Sequence, residues 1–219
     1  VYSLLAYFKK LENKDGLLEH LESWVFVEWS KANEFVQDVN FPSNMLYCKM
    51  KRVMANLYDD KTLAEAADLL EEKIKSMSFN GMFFRDNAVY TDGELVLQEN
   101  YTEACQYYAF HTGIATPGEY PQLWDILVKD FGPKRKETGK WQDIHFANAF
   151  IGNYLRLDLL LKYGYRDEIL DNMEGYFYYM AEQTGTVHVS VGEIPGMHDV
   201  SITADETNEF HKYTIPYGM

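Results

Sequence analysis

An apolar repeat of helical period that returns in segment after segment limits most severely what this chain can fold into. Seven such segments can be placed. The first runs from Val1 to about Glu12 and is closed by the turn signal NKDG. The second follows Pro42, which suits a first helical position, and carries Leu46, Met50, Val53 and Leu57. The third opens on a capping box, Thr62-Leu-Ala-Glu65, and lines up Leu63, Ala67, Leu70, Ile74 and Met77 on one stripe. The fourth is TEACQYYAFHTG, ending at Gly113. PQLWDILVKDFG, from Pro121 to Gly132, is the fifth and turns Trp124, Leu127, Val128 and Phe131 inward. HFANAFIGNYLRLDLLLKYG is the sixth, apolar nearly all round, and the seventh spans Arg166 to Gln183.

Helices with one wet face alternate with helices apolar on most sides: enclosed after residue 42, wet after 62, enclosed after 101, wet after 121, enclosed after 145, wet after 166. Such alternation predicts antiparallel helical hairpins in two layers. The connections are unequal. Short links lie near residues 59, 116 and 164, long ones at 14–41, 78–100 and 133–144. In antiparallel hairpins the long links must emerge together, and that end is the functional face by default, because binding residues collect on loops held by a rigid scaffold. Within the long links WVFVEW, residues 24–29, predicts a strand, and residues 82–97 predict a β-hairpin turning at Thr91-Asp-Gly. No fixed repeat emerges, so a helical toroid with elaborated loops fits better than a tetratricopeptide array, whose period is about 34 residues.

Composition excludes several functions. A net charge of −14 opposes nucleic acid, which needs a basic footprint. No apolar run approaches the roughly 20 residues of a membrane span. Cys48 and Cys105, the two cysteines, sit among apolar neighbours and are expected as buried thiols. His188, His198 and His211 match no standard ligand spacing, and neither a glycine-rich phosphate loop nor a GxSxG elbow is present, so no metal or cofactor is expected. The chain opens at Val1 already in helical period, as a piece of a longer protein would; secreted, periplasmic and cytoplasmic locations are all compatible.

What remains is a set of aromatics and carboxylates on the long-link face: Trp24, Glu28, Trp29 and Asp38 in the first link, Glu99 and Glu103 in the second, Trp141 and His145 in the third. Flat rings beside carboxylates suit a sugar, whose C–H faces stack on rings while its hydroxyls seek polar partners. Plainer readings stand beside this one. Trp24 and Trp29 could cap the helical core, Glu103 could complement a helix dipole, and Asp38 could be a cap near the helix start Asn40-Phe-Pro42.

Three runs, VFVEWSKANEFVQDVNFPSNMLY, QENYTEACQYYAFHTGIATP, and HFANAFIGNYLRLDLLLKYG with GYFYYMAEQTGT, together resemble the catalytic domain of bacterial α-L-rhamnosidases over roughly residues 1–187. These are inverting glycoside hydrolases on an (α/α)6 toroid of six hairpins. The resemblance implies a rhamnose-containing glycan as partner and substrate. It places Trp29, after Glu28, at the sugar pocket, with the Thr-x-Ala helix start matching Thr102-Glu103-Ala104. The Phe-x-Gly element matches Phe150-Ile151-Gly152, with His145 just before it. Trp24, Trp29, Asp38, Glu103 and His145 are thus the candidate substrate-binding residues.

Departures from the family pattern bear on catalysis. An inverting enzyme needs an acid and a base about 6.5–9.5 Å apart. The family's acid segment has no counterpart in the chain, and where its Gly-Thr-x-Trp-Glu base element would lie, Gly185-Thr186-Val187 is followed by His188 and Val189. Glu193 is the nearest substitute. The expected organisation is an all-α, incomplete toroid over residues 1–186, with a small β-hairpin insertion, and a non-helical, β-like tail over 187–219. Six hairpins need twelve helices and seven are supplied, so an arc with exposed apolar edges and self-association is expected. A non-catalytic carbohydrate-binding or structural helical domain is the alternative, and a scaffold for protein partners a third.

Overall fold

A computed structural model describes residues 2–133, 135–148 and 151–178. The seven expected helices are found among them as α1 (Tyr2–Lys9), α2 (Phe41–Tyr58), α3 (Lys61–Ser78), α4 (Glu103–Thr112), α5 (Pro121–Lys129), α7 (Ile151–Tyr163) and α8 (Arg166–Asn172), with an eighth, one-turn helix not expected, α6 (Arg135–Thr138), between α5 and α7. A turn of π-helix, Met173–Tyr178, continues α8. The switch at Gly185, Glu193 and the tail lie outside the described residues.

Local chemistry accounts for three helix starts. Asn40 caps α2 by accepting from the Ser43 amide at 2.9 Å, and Thr102 caps α4 by accepting from Cys105 N–H at 3.0 Å. The α3 cap is Asp60, which accepts from Leu63 N–H at 3.0 Å, so the helix begins before the expected box at Thr62. At the short link after α2, Asp59 closes the helix in the left-handed region, φ 50°.

Helices α2 and α3, α4 and α5, and α7 and α8 pack as hairpins, while α4 lies between α2 and α7. Among the described residues there are thus three helical hairpins. α4 is enclosed as expected, with every residue buried except His111. α3 buries Ala67, Leu70 and Ile74, and α5 buries Trp124, Leu127 and Val128.

Three expectations need correction. First, α2 is not enclosed: it buries Phe41, Met45, Cys48, Met54 and Ala55, whereas Val53 and Leu57 are 56% and 68% exposed and Leu46 is exposed with them. Tyr154 and Leu161 are likewise exposed on α7. An apolar pattern reveals a face that needs cover, not whether a neighbour supplies it.

Second, residues 24–29 form no strand. Val27 N–H donates to the Asn33 side chain at 2.9 Å and Val27 C=O accepts from the Tyr108 hydroxyl at 3.0 Å, so side chains take the place of a ladder. Third, the sixth helix begins at Ile151 rather than His145, because His145 forms an isolated parallel bridge with Thr102.

The β-hairpin is present as β2 (Asn87–Thr91) and β3 (Glu94–Leu97), joined through Asp92 and Gly93, both at positive φ (51° and 83°), as a two-residue hairpin turn demands. Its other neighbour is β1 (Val39–Asn40), paired antiparallel as Val39 with Ala88 and Asn40 with Asn87. Cys48 and Cys105 are free and buried.

Candidate functional site

The three long links pack on one another. The first and second are joined by the β1–β2 pairing, by Phe41 N–H on Asp86 C=O at 2.8 Å, and by Tyr90 N–H on Asp38 Oδ2 at 2.7 Å. Second and third meet where His145 N–H donates to Tyr101 C=O and His145 C=O accepts from Glu103 N–H, both at 2.9 Å. The first and third meet through rings, Phe35 against His145 at 5.8 Å, and through Asn148, whose side-chain amide donates to Trp29 C=O.

At the centre of this junction two buried glutamates grip consecutive amides. Glu103 Oε2 accepts from Ala147 N–H at 3.2 Å and from the Tyr107 hydroxyl at 3.0 Å. Glu28 Oε2 accepts from Asn148 N–H at 2.9 Å and from Ser30 Oγ at 3.0 Å, and its Oε1 accepts from Gly152 N–H in the first turn of α7. The glycine is required by this approach: a Cβ on Gly152 would lie 2.6 Å from Glu28 Oε1 and 2.5 Å from the Ala147 methyl. The first two of the runs that carried the resemblance therefore meet the third at Ala147, Asn148 and Gly152.

The two carboxyls are balanced differently. Glu103 Oε1 pairs with Arg135 at 2.6 Å, both side chains almost wholly buried. The same guanidinium donates to the carbonyls of Trp141, at 2.6 Å, and Ile144, and lies against the Phe131 and Phe146 rings. Among the described residues Glu28 is met by a hydroxyl and two amides, and burial outweighs them, pushing its carboxyl up to about 8. Asp86, under the start of α4, is similar: Oδ1 accepts from Thr102 Oγ1 at 2.8 Å, Oδ2 has no hydrogen-bond partner among the described residues, and burial pushes the carboxyl up to about 8.

Outside this buried layer lies an aromatic platform. Trp24, Phe26 and Trp29 form a triangle, with centroids 5.2 Å apart for Trp24–Phe26, 5.9 Å for Trp24–Trp29 and 4.9 Å for Phe26–Trp29. Trp24 is 69% exposed, so it caps no core, while Trp29 is half-buried. Val27 and Glu28 point inward between them, and the hydrogen bonds of Val27, Glu28 and Trp29 hold the platform's backbone.

The remaining candidates scatter. Glu103 is interior, its carboxylate taken up by Arg135, Tyr107 and Ala147. Asp38, with φ 47°, latches the β-hairpin through Tyr90 N–H and lies 3.0 Å from His20 Nδ1; the cap beside it is Asn40. His145 contributes backbone to the bridge with Thr102 and its ring to Phe35. Glu99 pairs with Arg85 at 2.7 Å, and Trp141 Nε1 donates to Asp130 at 2.8 Å. Glu193 lies outside the described residues. Sequence reasoning did not single out Arg135, Asp86 or Asn148. Arg135 stands in the charged run KRKE, which reads as a solvated loop. Among the described residues no group of three His, Cys, Asp or Glu could hold a metal ion, and no helix is long and apolar enough to cross a membrane.

No protein-family model and no curated protein matches the chain. Solved structures do, two rhamnosidases among them. A GH78 family rhamnosidase of Bacillus sp. GL1 superposes with a TM-score of 0.66 at 17% identity, over 81% of this chain and 18% of that one. A rhamnosidase from Klebsiella oxytoca with rhamnose bound gives 0.54 at 13% identity, over 80% of this chain and 31% of that one. The chain thus spans less than a third of either structure's length, and over that span it has the fold of part of these rhamnosidases.

Proposed function

We propose that the chain is part of a glycoside hydrolase of the α-L-rhamnosidase type, which in its full-length form removes terminal α-L-rhamnose with inversion. The observation that carries this reading is the aromatic platform of Trp24, Phe26 and Trp29 beside the junction of the three long links, within a fold shared with part of two rhamnosidases. Trp29 and Trp24 stack on the sugar, and Asp38, His145 and Glu103 serve it through the contacts that hold the three long links together. Residues 1–186 form the partial toroid and 187–219 a separate tail. The family's acid segment has no counterpart in the chain and Val189 stands where its base would be, so the chain alone does not turn over substrate.

Self-association belongs to the same reading, since the exposed stripe of Leu46, Val53 and Leu57 on α2 is the edge a missing hairpin would cover. A non-catalytic carbohydrate-binding role is the second reading, favoured by Val189 standing where the family's base would be.

The test is hydrolysis of an aryl α-L-rhamnoside by the full-length protein, with the anomer released followed by proton NMR. Initial release of the β-anomer is expected. No hydrolysis would leave the binding role, and retention would refute inversion. Turnover by the chain alone, abolished by Glu193→Gln, would instead place the base in the tail.

A further inference from the structure

We propose that Glu28 is the positioning residue of the aromatic platform: its carboxyl ties residues 24–30 to the first turn of α7, and the arrangement of rings it supports changes when that carboxyl gains or loses a proton.

The geometry leaves little slack. Residue 28 lies between Phe26 and Trp29, and its two oxygens are occupied by Gly152 N–H on one side and by Asn148 N–H and Ser30 Oγ on the other. A carboxylate accepts from all three donors. A neutral carboxylic acid has an O–H of its own to place, and both amides can only donate. Ser30 Oγ is the partner able to reverse, becoming the acceptor of the Glu28 proton while it continues to accept from Ala32 N–H at 3.3 Å. Ser30 follows Trp29 directly and caps the short 3-10 turn Lys31–Glu34, so reversing its hydroxyl acts on the backbone that carries the platform.

The titratable groups facing Glu28 are Glu103 and Tyr108, both of α4; Arg135 balances Glu103, and the Tyr108 hydroxyl is engaged by Val27 C=O. From α7 and the segment before it Glu28 meets the two amides. Burial pushes the carboxyl up to about 8, which brings the transition into a range where the protein can be studied folded.

The test uses the full chain with its four tryptophans replaced by 5-fluorotryptophan and fluorine NMR from about pH 5.5 to 9.5, with Trp24 and Trp29 assigned through Trp24→Phe and Trp29→Phe. The expected result is one shared transition in the Trp24 and Trp29 signals, abolished by Glu28→Gln. In Ser30→Ala, which removes a donor to the charged form, the midpoint rises by about one pH unit. Absence of a transition, or its persistence in Glu28→Gln, overturns the proposal. Should Glu28→Gln fail to fold, Ser30→Ala decides, and an unmoved midpoint overturns it.

Binding of methyl α-L-rhamnoside to the same samples rests on the function proposed above and is expected to change at least threefold across the transition. No binding at any pH, with the fluorine transition intact, sinks that function and leaves the role of Glu28 standing. Binding that ignores the transition overturns the positioning role.

Discussion

Removing the Arg135 guanidinium tests most directly whether buried charge holds the link junction together. Arg135→Met keeps an apolar stem against Phe131 and Phe146 but leaves Glu103 with the Tyr107 hydroxyl at 3.0 Å and Ala147 N–H at 3.2 Å as its donors. The side chains of the pair are 1% and 3% exposed, so water does not replace the lost partner. Breaking a buried ion pair from one side costs about 3–5 kcal/mol, against a total stability of about 5–15 kcal/mol for a domain. The carbonyls of Trp141 and Ile144 lose a donor as well, which places the expected loss at the upper part of that range. Urea unfolding followed by far-ultraviolet circular dichroism measures it, with Glu103→Gln and the double variant completing a cycle. The double variant should lose at least about 2 kcal/mol less than the sum of the singles, because residues in contact couple. A loss below about 1 kcal/mol for Arg135→Met, or additive singles, would refute the reasoning.

Three further outcomes follow. Glu28 and Asp86 are both raised to about 8 from 4.5 and 3.8, so the native chain holds protons that the unfolded chain has released. The stability these two groups contribute is therefore full below about pH 4 and is lost as pH rises through the interval to 8; urea midpoints should be lower at pH 8.5 than at pH 5, and Asp86→Asn should flatten the difference by roughly half. An equal midpoint at both pH values would refute it. Trp29→Ala in the full-length protein should raise the Michaelis constant for a rhamnoside about fivefold, the equivalent of a stacking contact near 1 kcal/mol, with the circular dichroism unchanged; unchanged kinetics would return Trp29 to a packing role. Val53→Glu with Leu57→Glu should convert a self-associating chain into a monomer in sedimentation equilibrium, and an unaltered mass would exclude the α2 stripe as the contact.

Much of the helical frame was legible because its causes are local. Thr102 and the Asn40-Phe-Pro42 start announce themselves within four residues, and the Asp92-Gly93 turn within two. What the sequence hid depends on partners far away along the chain. Val27 reads as a strand residue because of its neighbours, yet its carbonyl is met by Tyr108, 81 residues on. His145 to Asn148 continue a helical pattern, but amides in this stretch are drawn to Glu28, 120 residues earlier, and to Glu103, 44 earlier. Glu103 was visible as a charge at a helix start; that it is buried could be known only with Arg135, 32 residues away, beside it. Trp24 and Trp29 were legible as residue types. The triangle they form with Phe26 required the inward turn of Val27 and Glu28.

The choice of carboxylates at this junction follows from what long links bring with them. A loop that runs into the interior carries amides with no ladder to meet them, and each one left unpaired costs about as much as a lost hydrogen bond. Apolar packing cannot satisfy Ala147, Asn148 and Gly152; two glutamates from other parts of the chain do. Burying two carboxylates side by side would itself be prohibitive, and the chain resolves this asymmetrically. Glu103 is given a guanidinium, which also closes the third link through the Trp141 and Ile144 carbonyls. Glu28 is given a hydroxyl and two amides, and burial lets it keep its proton into the neutral range. The carboxyl able to change its charge is thus the one whose residue stands between Phe26 and Trp29 in the chain, while the fixed charge of Glu103 is the one held by Arg135.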